Sequence, residues 1–190
     1  TNLEGYELGE WWIQDYSSQI PVSLLEIQNN DDVLDLCAAP GGKTAQLISL
    51  GAKVTSIDNN KKRLFRLEQN LKRLDYKAII KNKDIRNFST QKTWSKIILD
   101  APCSSTGTLR KNPEIMHQKE ERDIVSLSKL QSDLLDAAWD LLKEDGTLVG
   151  WEYGGNARAN IPNGLTGVIN IYTNAHQVFA LKNDMTFTVW

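Results

Sequence analysis

Short apolar runs alternate with amphipathic stretches between residues 31 and 150, and this alternation restricts the fold more than any other feature of the sequence. Five runs have the composition of buried strands: VLDLC (33–37), KVTSID (53–58), AII (78–80), KIILD (96–100) and GTLVGW (146–151). Such strands are typical of a parallel sheet covered by helices on both faces. Right-handed crossovers then predict an α/β fold with a doubly wound, mostly parallel sheet that binds ligands at the carboxyl ends of its strands.

Two of the connecting stretches have the periodicity of amphipathic helices. In KKRLFRLEQNLKRL the apolar face consists of Leu64, Leu67, Leu71 and Leu74. In SLSKLQSDLLDAAWDLLKEDG it consists of Leu130, Leu134, Ala137 and Leu141. Gly146 closes the second stretch, and we expect it to end that helix.

Composition excludes several classes of protein. The chain has 190 residues, 41% of them hydrophobic and 24% charged, which suits a globular domain with a sizeable core. Its net charge of −2 gives no overall nucleic-acid signature, so local basic clusters must carry any such function. The sequence shows neither a membrane span nor a secretion signal. Two cysteines form no disulfide framework and favour the cytoplasm, and His117 and His176 lack metal-ligand spacing, so we predict no metal.

The amino-acid composition changes after residue 150. The tail, residues 151–190, has few charges, several Asn and Gly residues, and no amphipathic helix. GVINIYT, HQVFAL and MTFTVW are predicted strands, the last two a hairpin across KND. The tail is either an antiparallel edge of the sheet or an unrelated segment. We therefore divide the chain into a lead-in segment (1–30), a core (31–150) and the tail.

The stretch DLCAAPGGKT (35–44) connects the first predicted strand to the first helix. Small residues let the backbone approach a ligand closely, and the start of a helix offers free N–H groups. A nucleoside-triphosphate loop would need glycine at position 37, where Cys37 stands, and the dinucleotide fingerprint is absent as well. Asp58 ends the second strand, where a carboxylate can accept both hydroxyls of a ribose. The alternatives are a nucleoside-type cofactor site and a tight turn in which Asp58 caps the next helix.

The motifs of the core follow one another as in one known family. They are VLDLCAAPGGKT, the acid Asp58, NLKRL, the acid Asp84, ILDAPCSSTG, RKNPEI and LQSDLLDAAWDLLKEDGTLV. Over roughly residues 4–149 the chain resembles the RNA 5-methylcytosine methyltransferases of the NOL1/NOP2/Sun family, and CAAPGGK and DAPCS are the most specific motifs. The resemblance implies a class I, Rossmann-like methyltransferase core that uses S-adenosyl-L-methionine. It also implies methylation of carbon 5 of a cytosine in ribosomal RNA, a step of rRNA processing.

The resemblance also implies which residues bind the cofactor. The loop around its methionine part would consist of Cys37, Ala38, Ala39, Pro40, Gly41, Gly42 and Lys43. Asp58 would hold the ribose hydroxyls, and Asp84 would lie by the adenine unless it only caps a turn. Asp100 would lie between the cofactor and the target base. Arg63 would brace the ribose side unless it belongs to a solvated helix face.

Carbon 5 of cytosine is too weak a nucleophile to take a methyl group unaided. A thiolate that adds to carbon 6 makes carbon 5 reactive, and a group at the ring nitrogen must steady the developing charge. Asp100 is placed for the second task, and the base must be single-stranded or flipped out of its stack to reach the site. In the family the cysteine of the Asp-Ala-Pro-Cys turn assists product release. Cys103 matches that cysteine.

The family's attacking cysteine lies in a Thr-Cys-Ser turn after the next strand, and this chain lacks it. The corresponding stretch reads GWEYGG, with Tyr153 near the expected position, and no cysteine follows Cys103. Three explanations remain open: a truncated or frame-shifted reading of a real enzyme with an unrelated tail, a natural pseudoenzyme that keeps cofactor and RNA binding, or Cys103 acting alone. We favour the first. The rival to an enzyme is thus a non-catalytic module that binds cofactor and RNA.

Three groups of residues are candidates for RNA contacts. Arg110 and Lys111 follow the Cys103 turn and are predicted to steady the target strand. The basic residues between positions 61 and 83 either contact phosphates or form a solvated helix face. The aromatic side chains of Trp11, Trp12 and Tyr16 either stack on bases or pack at the entrance of the core.

Overall fold

A computed structural model describes residues 3–105, 113–115 and 120–150, together with the strands at 170–173, 178–181 and 187–189. In chain order its elements are α1 (Tyr16–Ser23), β1 (Asp32–Leu36), α2 (Gly42–Ser49), β2 (Lys53–Asp58), α3 (Lys61–Arg73), β3 (Ile79–Asn82), a short 3-10 helix (Ile85–Asn87), β4 (Trp94–Leu99), α4 (Glu121–Trp139) and β5 (Leu142–Gly150). The five strands form one parallel sheet in the order β3-β2-β1-β4-β5. The predicted α/β fold with a parallel, doubly wound sheet is confirmed.

Helices cover both faces of the sheet, as the apolar strands require. On one face the side chains of Leu36, Ile97 and Leu148 pack against Leu134 and Ala138 of α4. The opposite face is buried by a second set, which consists of Val33, Val54, Ile98 and Val149 of the strands with Val22, Leu25 and Leu47 from α1, its C-terminal turn and α2. Each such side chain contributes about 1.5–3 kcal/mol when fully buried. The central strands therefore hold their ligand-facing ends rigidly.

Helix α3 has the predicted apolar face, because Leu64, Leu67 and Leu71 are all buried against the sheet. Leu74 is buried as well, although it lies just beyond the last helical residue. The helix begins after Asn60, whose side-chain oxygen accepts a hydrogen bond from the backbone N–H of Arg63 at 3.0 Å.

The prediction that Gly146 ends the second helix is wrong. Helix α4 ends at Trp139, and β5 begins at Leu142. The strand pairing shifts between Trp94 and Lys96, so that the residues before Thr147 bulge out of the ladder. A Cβ at Gly146 would lie 2.8 Å from the side chain of Leu142. The glycine is therefore required by close packing inside the bulge.

The lead-in segment is fastened to the end of α3 by Arg73. The guanidinium donates hydrogen bonds to the backbone oxygens of Tyr6 and Trp11 and lies 3.8 Å from the centroid of the Tyr6 ring. Gly9 passes so close that an added Cβ would meet the carbonyl oxygen of Arg73. The segment before α1 is therefore part of the packed structure of the core.

Three strands of the tail are described: β6 (Asn170–Thr173), β7 (Val178–Leu181) and β8 (Phe187–Val189). They form an antiparallel sheet in the order β6-β7-β8, and each lies within one of the three predicted strands, whose remaining residues are outside the described part of the chain. Among the described residues, none of these strands is hydrogen-bonded to the parallel sheet. No helix among the residues that the structure describes is both long enough and apolar enough to cross a membrane.

Candidate functional site

The turn between β1 and α2 lies at the carboxyl edge of the sheet, where the fold predicts a ligand. Its backbone is held to the neighbouring strand by the N–H of Ala38, which donates to the oxygen of Ile57 at 3.1 Å. Gly41 has a φ of 102°, and an added Cβ there would lie 2.9 Å from the side chain of Leu67. The turn therefore keeps its shape because glycine is the residue that fits between the loop and α3.

Asp58 joins this turn to the start of α3. Its fully buried carboxylate accepts hydrogen bonds from the N–H of Ala39 at 3.2 Å and from the N–H of Asn60 at 2.8 Å. The guanidinium of Arg63 contacts both carboxylate oxygens, at 2.9 and 3.0 Å. Arg63 is thus an ion-pair partner of Asp58 and does more than line a solvated helix face, even though its side chain is 42% exposed.

A second ion pair connects α2 to the end of β4. The ammonium group of Lys43, in the first turn of α2, lies 2.7 Å from Oδ2 of Asp100. Asp100 directly follows β4, and its N–H donates to the oxygen of Leu36 in the adjacent strand at 3.1 Å. Two residues that the sequence places in separate motifs therefore meet at the same edge of the sheet.

Beneath the turn lies a buried polar cluster that sequence reasoning missed. Thr44 Oγ1 donates to Oδ2 of Asp35 at 2.6 Å and lies 3.3 Å from Oγ of Ser56. Oδ1 of Asp35 is buried without a hydrogen-bond partner among the described residues. Burial raises the pKa of Asp35 to about 7, against the opposing effects of Thr44 and Lys43. A carboxylate inside the apolar run VLDLC was the signal that could have revealed it.

Cys37 lies close to the carboxylates of Asp35, Asp58 and Asp100. Burial, together with the nearby carboxylates of Asp58 and Asp100, raises the pKa of its thiol to about 12. A thiol that stays protonated at neutral pH is a poor nucleophile. Cys37 is therefore suited to packing under the turn and not to attack on a base.

Asp84 follows β3 and begins the short 3-10 helix. Its carboxylate accepts hydrogen bonds at 3.0 Å from the backbone N–H and from Nε of Arg86. The pKa of Asp84 is lowered by this hydrogen bonding, which outweighs partial burial. Because the N–H of Lys83 donates to the oxygen of Asp58, the segment before Asp84 lies beside the end of β2. The capping alternative for Asp84 therefore agrees with its observed contacts.

The turn that carries Cys103 is anchored from two sides. Asp100 holds its start through Lys43, and the amide of Gln131 in α4 donates to the oxygen of Pro102 at 2.8 Å. The half-buried sulfur of Cys103 lies 3.9 Å from Oγ of Ser105. Sequence reasoning did not single out Gln131, since nothing in a helical pattern shows which distant carbonyl a glutamine will contact.

Several predicted residues fall outside this site. Arg110, Lys111 and Tyr153 lie outside the described residues. Trp12 donates to the side chain of Gln14 at 2.9 Å and packs edge-on against Tyr76, so it serves the packing of the lead-in segment. Among the described residues, no three His, Cys, Asp or Glu side chains come together in a group that could hold a metal ion.

Of the other two aromatic candidates, one is packed and one is open. The indole N–H of Trp11 donates to the oxygen of Glu4 at 3.0 Å, and its ring lies 5.0 Å from that of Tyr6. Tyr16 is 81% exposed. Packing at the entrance of the core accounts for Trp11, whereas Tyr16 makes no comparable ring contact among the described residues.

Comparison with known proteins identifies the family of the core. Residues 22–153 match the family described as 16S rRNA methyltransferase RsmB/F. The chain belongs to this family. A relative named ribosomal RNA small subunit methyltransferase B, from Citrobacter koseri, is 46% identical over 152 residues, which are 77% of this chain and 36% of the relative. The protein of the same name from Yersinia pestis is 42% identical over 153 residues, 78% of this chain and 36% of its own length.

The chain thus spans about a third of the length of these curated relatives. Among solved structures, NSun6 from Pyrococcus horikoshii with SFG superposes with a TM-score of 0.71 at 26% identity, over 91% of this chain and 40% of that one. An S-adenosylmethionine-dependent O-methyltransferase from Thermotoga maritima, at 18% identity and a TM-score of 0.51 over 70% and 43% of the two chains, shares the fold. The resemblance to the Sun family and the Rossmann-like fold class are confirmed.

Proposed function

We propose that this chain is the S-adenosyl-L-methionine-binding core of an enzyme that methylates carbon 5 of a cytosine in ribosomal RNA in the cytoplasm. The observation that carries the proposal is the convergence of four motif elements at one edge of the parallel sheet. These are the turn 37–43, the Asp58–Arg63 pair, the Lys43–Asp100 pair and the Cys103 turn. The proposal includes the division into a lead-in segment (1–30), a core (31–150) and a tail (151–190).

The residues at this edge suit S-adenosyl-L-methionine. Ala38 and Ala39 are buried and small, and Gly41 leaves no room for a side chain, so the turn can lie directly against a ligand. When bound, the cofactor would supply a methyl group activated on a sulfonium. The turn 37–43 would hold its methionine part, and Asp84 would lie by the adenine.

In this proposal Asp58 accepts the ribose hydroxyls, and that role requires a change of partners. All of its present donors belong to the protein, namely two backbone N–H groups and the guanidinium of Arg63. The backbone donors are fixed by the turn and by the helix start, whereas the side chain of Arg63 is 42% exposed and can turn toward solvent. The ribose hydroxyls would thus replace the guanidinium of Arg63 on Asp58, and Arg63 would contact the ribose from the edge of the site.

At the substrate, a flipped or single-stranded cytosine would face Asp100 and Cys103. Asp100 is positioned between Lys43 and the turn, so it can steady charge at the ring nitrogen, while Cys103 would assist release of the methylated product. Arg110 and Lys111 would steady the target strand. Of the two cysteines in the chain, Cys103 is the one proposed to act on the base, since the raised pKa of Cys37 disfavours its thiolate.

One observation favours a second function. No cysteine follows Cys103, so the nucleophile that the family would place after β5 is missing from this chain. The alternative is a catalytically inactive module that binds cofactor and RNA. The two functions share the cofactor site and differ in methyl transfer alone.

Purified chain mixed with labelled S-adenosyl-L-methionine and unmodified small-subunit RNA separates the two. Label on cytosine that disappears in Cys103→Ala would mean that this single thiol suffices for catalysis, whereas the inactive module binds cofactor without transferring label. Asp32→Ala is the control, because Asp32 is exposed at the amino end of β1 and lies outside the turn that would hold the cofactor. Cofactor binding measured by calorimetry should disappear in Asp58→Ala. A chain that neither transfers label nor binds the cofactor contradicts both functions.

A further inference from the structure

Helix α3 carries an unusual concentration of positive charge for a chain with a net charge of −2. It contains six basic side chains and a single acidic one, Glu68. Two of the arginines are occupied inside the protein, Arg63 by Asp58 and Arg73 by backbone oxygens of the lead-in segment. These two fasten the helix in place, and they leave the other four to be explained.

The remaining four basic side chains are exposed and form no ion pair among the described residues; they are Lys61, Lys62, Arg66 and Lys72. Elsewhere in the same part of the chain, lysines do find carboxylates, as Lys96 does with Asp31 and Lys92 with Asp32. Unpaired like charges on one helix face repel each other. The face is therefore electrostatically suited to an anionic partner.

An aromatic ring stands in the middle of these charges. Phe65 is 59% exposed, although α3 already buries three leucines against the sheet. Lys61 and Lys62 precede it by four and three residues, and Lys72 follows it by seven, so all three project from the same side of the helix as the ring. Glu68, three residues after the ring, lies on this side as well, so the side carries three cations against one carboxylate. Folding of the helix does not require a phenylalanine at this position.

The position of the helix links this face to the site. Helix α3 begins three residues after Asp58, so its first turn, with Lys61 and Lys62, lies at the carboxyl edge of the sheet. Exposed aromatic rings that stack on bases, flanked by cations that contact phosphates, are the means by which proteins hold single-stranded nucleic acid. Charge, aromatic ring and location thus indicate one kind of partner.

We propose that Lys61, Lys62, Phe65, Arg66 and Lys72, here called the α3 face, bind a single-stranded segment of the RNA substrate. Phe65 stacks on an unpaired base, and the four cations contact the phosphates on either side. The inference rests on the proposed function, in that it takes RNA as the substrate. It assigns a surface to that RNA outside the cofactor pocket and outside the Cys103 turn.

The α3 face can be tested by fluorescence anisotropy with a labelled single-stranded RNA oligonucleotide and with the corresponding duplex. Binding is measured between 50 and 300 mM KCl, roughly the range over which counterion release changes affinity strongly. Phe65→Leu is expected to weaken single-strand binding about tenfold, because it removes the stacking surface and keeps an apolar side chain. Phe65→Tyr should restore wild-type affinity. The double variant Lys61→Gln/Lys62→Gln should lower the slope of log Kd against log salt by about 1.4.

Two control variants carry changes of the same kind at positions outside the α3 face. Ile79→Ala removes an exposed apolar side chain from β3, and Lys53→Gln removes an exposed lysine from the amino end of β2. Both should bind RNA like the wild type. The proposal is overturned if the wild-type chain binds no single-stranded RNA, if Phe65→Leu binds as tightly as wild type, or if the controls weaken binding equally.

Calorimetry with S-adenosylhomocysteine separates this proposal from the function on which it rests. All α3-face variants should bind this ligand with wild-type affinity, since none of the changed side chains contacts Asp58 or the turn. If the wild-type chain binds RNA through Phe65 but binds no such ligand, the proposed function fails and the α3 face stands. If it binds the ligand and shows no Phe65-dependent RNA binding, the α3 face alone is refuted.

Discussion

The cofactor side of the site and the turn that carries Cys103 are built in different ways. On the cofactor side, the buried carboxylate of Asp58 is held by a strand-to-helix turn, a helix start and an arginine at the same time. The Cys103 turn is half-buried, and the amide of Gln131 ties it to α4. The residues proposed to bind the cofactor are thus fixed within the folded core, whereas the thiol proposed to act on the base lies at the edge of that core.

This difference has a consequence for how the two regions respond to change. Substitutions on the cofactor side should lower stability and ligand binding together, because the same hydrogen bonds serve both. Substitutions in the Cys103 turn should alter reactivity and leave the fold intact. A chain that lost its nucleophile could therefore keep a well-formed cofactor site.

The largest effect is expected for Asp58→Ala. The change leaves the guanidinium of Arg63 and the N–H groups of Ala39 and Asn60 without their acceptor. We expect a loss of about 2–3 kcal/mol in the free energy of unfolding, below the cost of a fully buried pair because Arg63 is partly exposed. Thermal denaturation should show a fall in Tm of about 4–12 °C.

Asp32→Ala is the matched control for this change. Asp32 pairs with Lys92, but both side chains are 46% exposed, so the pair is worth no more than about 1 kcal/mol. If the two variants lose the same stability, the carboxylate of Asp58 does not hold the cofactor side together, and the contrast between the two regions is wrong.

A pH-dependent effect is expected at Asp35, smaller for each pH unit than the change expected for Asp58→Ala. Its pKa is raised by burial from 3.8 to about 7, so between these values the native state binds a proton that the unfolded state releases. Stability should therefore fall as the pH rises through this window, with a slope of up to about 1.4 kcal/mol per pH unit relative to Asp35→Asn. Urea unfolding at several pH values measures the difference between the two chains.

Asp31→Asn provides a control of opposite sign. Although partial burial raises the pKa of Asp31, the hydrogen bonds from Lys96 and from the N–H of Gln28 lower it overall. The stability that Asp31 contributes should be present above pH 3.8 and be lost as the pH falls below that value. If the wild type and Asp35→Asn change in parallel between pH 4 and 7, Asp35 does not take up a proton beneath the turn.

Local sequence patterns predicted the strands and the buried helix face better than the contacts between these elements. The apolar runs located the strands, and the spacing of Leu64, Leu67 and Leu71 located the buried face of α3, since both depend on residues close in sequence. The bulge before Thr147 depends on the pairing of β4 with β5, so Gly146 was misinterpreted as the end of a helix. The same limit applies to Gln131, whose acceptor lies 29 residues away.

The resemblance named the residues of the proposed cofactor side but could not predict their contacts. Motif resemblance placed Asp58 and Lys43 at the same ligand. It could not show that Arg63 occupies both oxygens of Asp58, or that Thr44 donates to a buried Asp35. These contacts arise from side-chain packing across strands and helices, which no single stretch of sequence encodes.

The smallest effect, and the most direct test of the Cys103 turn, is the rate of thiol alkylation. Because the pKa of Cys37 is raised to about 12, iodoacetamide at about pH 8 should modify Cys103 at least about tenfold faster than Cys37. Gln131→Leu keeps the size of the side chain and removes the donor to Pro102. It should cost about 1 kcal/mol or less, because the freed carbonyl can bind water, and should speed alkylation of Cys103 about two- to fivefold.

Mass spectrometry of the alkylated peptides reports the two cysteines separately, and Gln69→Leu on the exposed side of α3 serves as the control. Faster alkylation in Gln131→Leu, with a Tm lowered by no more than about 4 °C and unchanged cofactor binding, would mean that α4 positions the thiol without contributing to the cofactor side. An unchanged rate would mean that the Lys43–Asp100 pair is sufficient to hold the turn. In that case the contacts of the cofactor side also position the thiol, and the two regions do not respond to substitution independently.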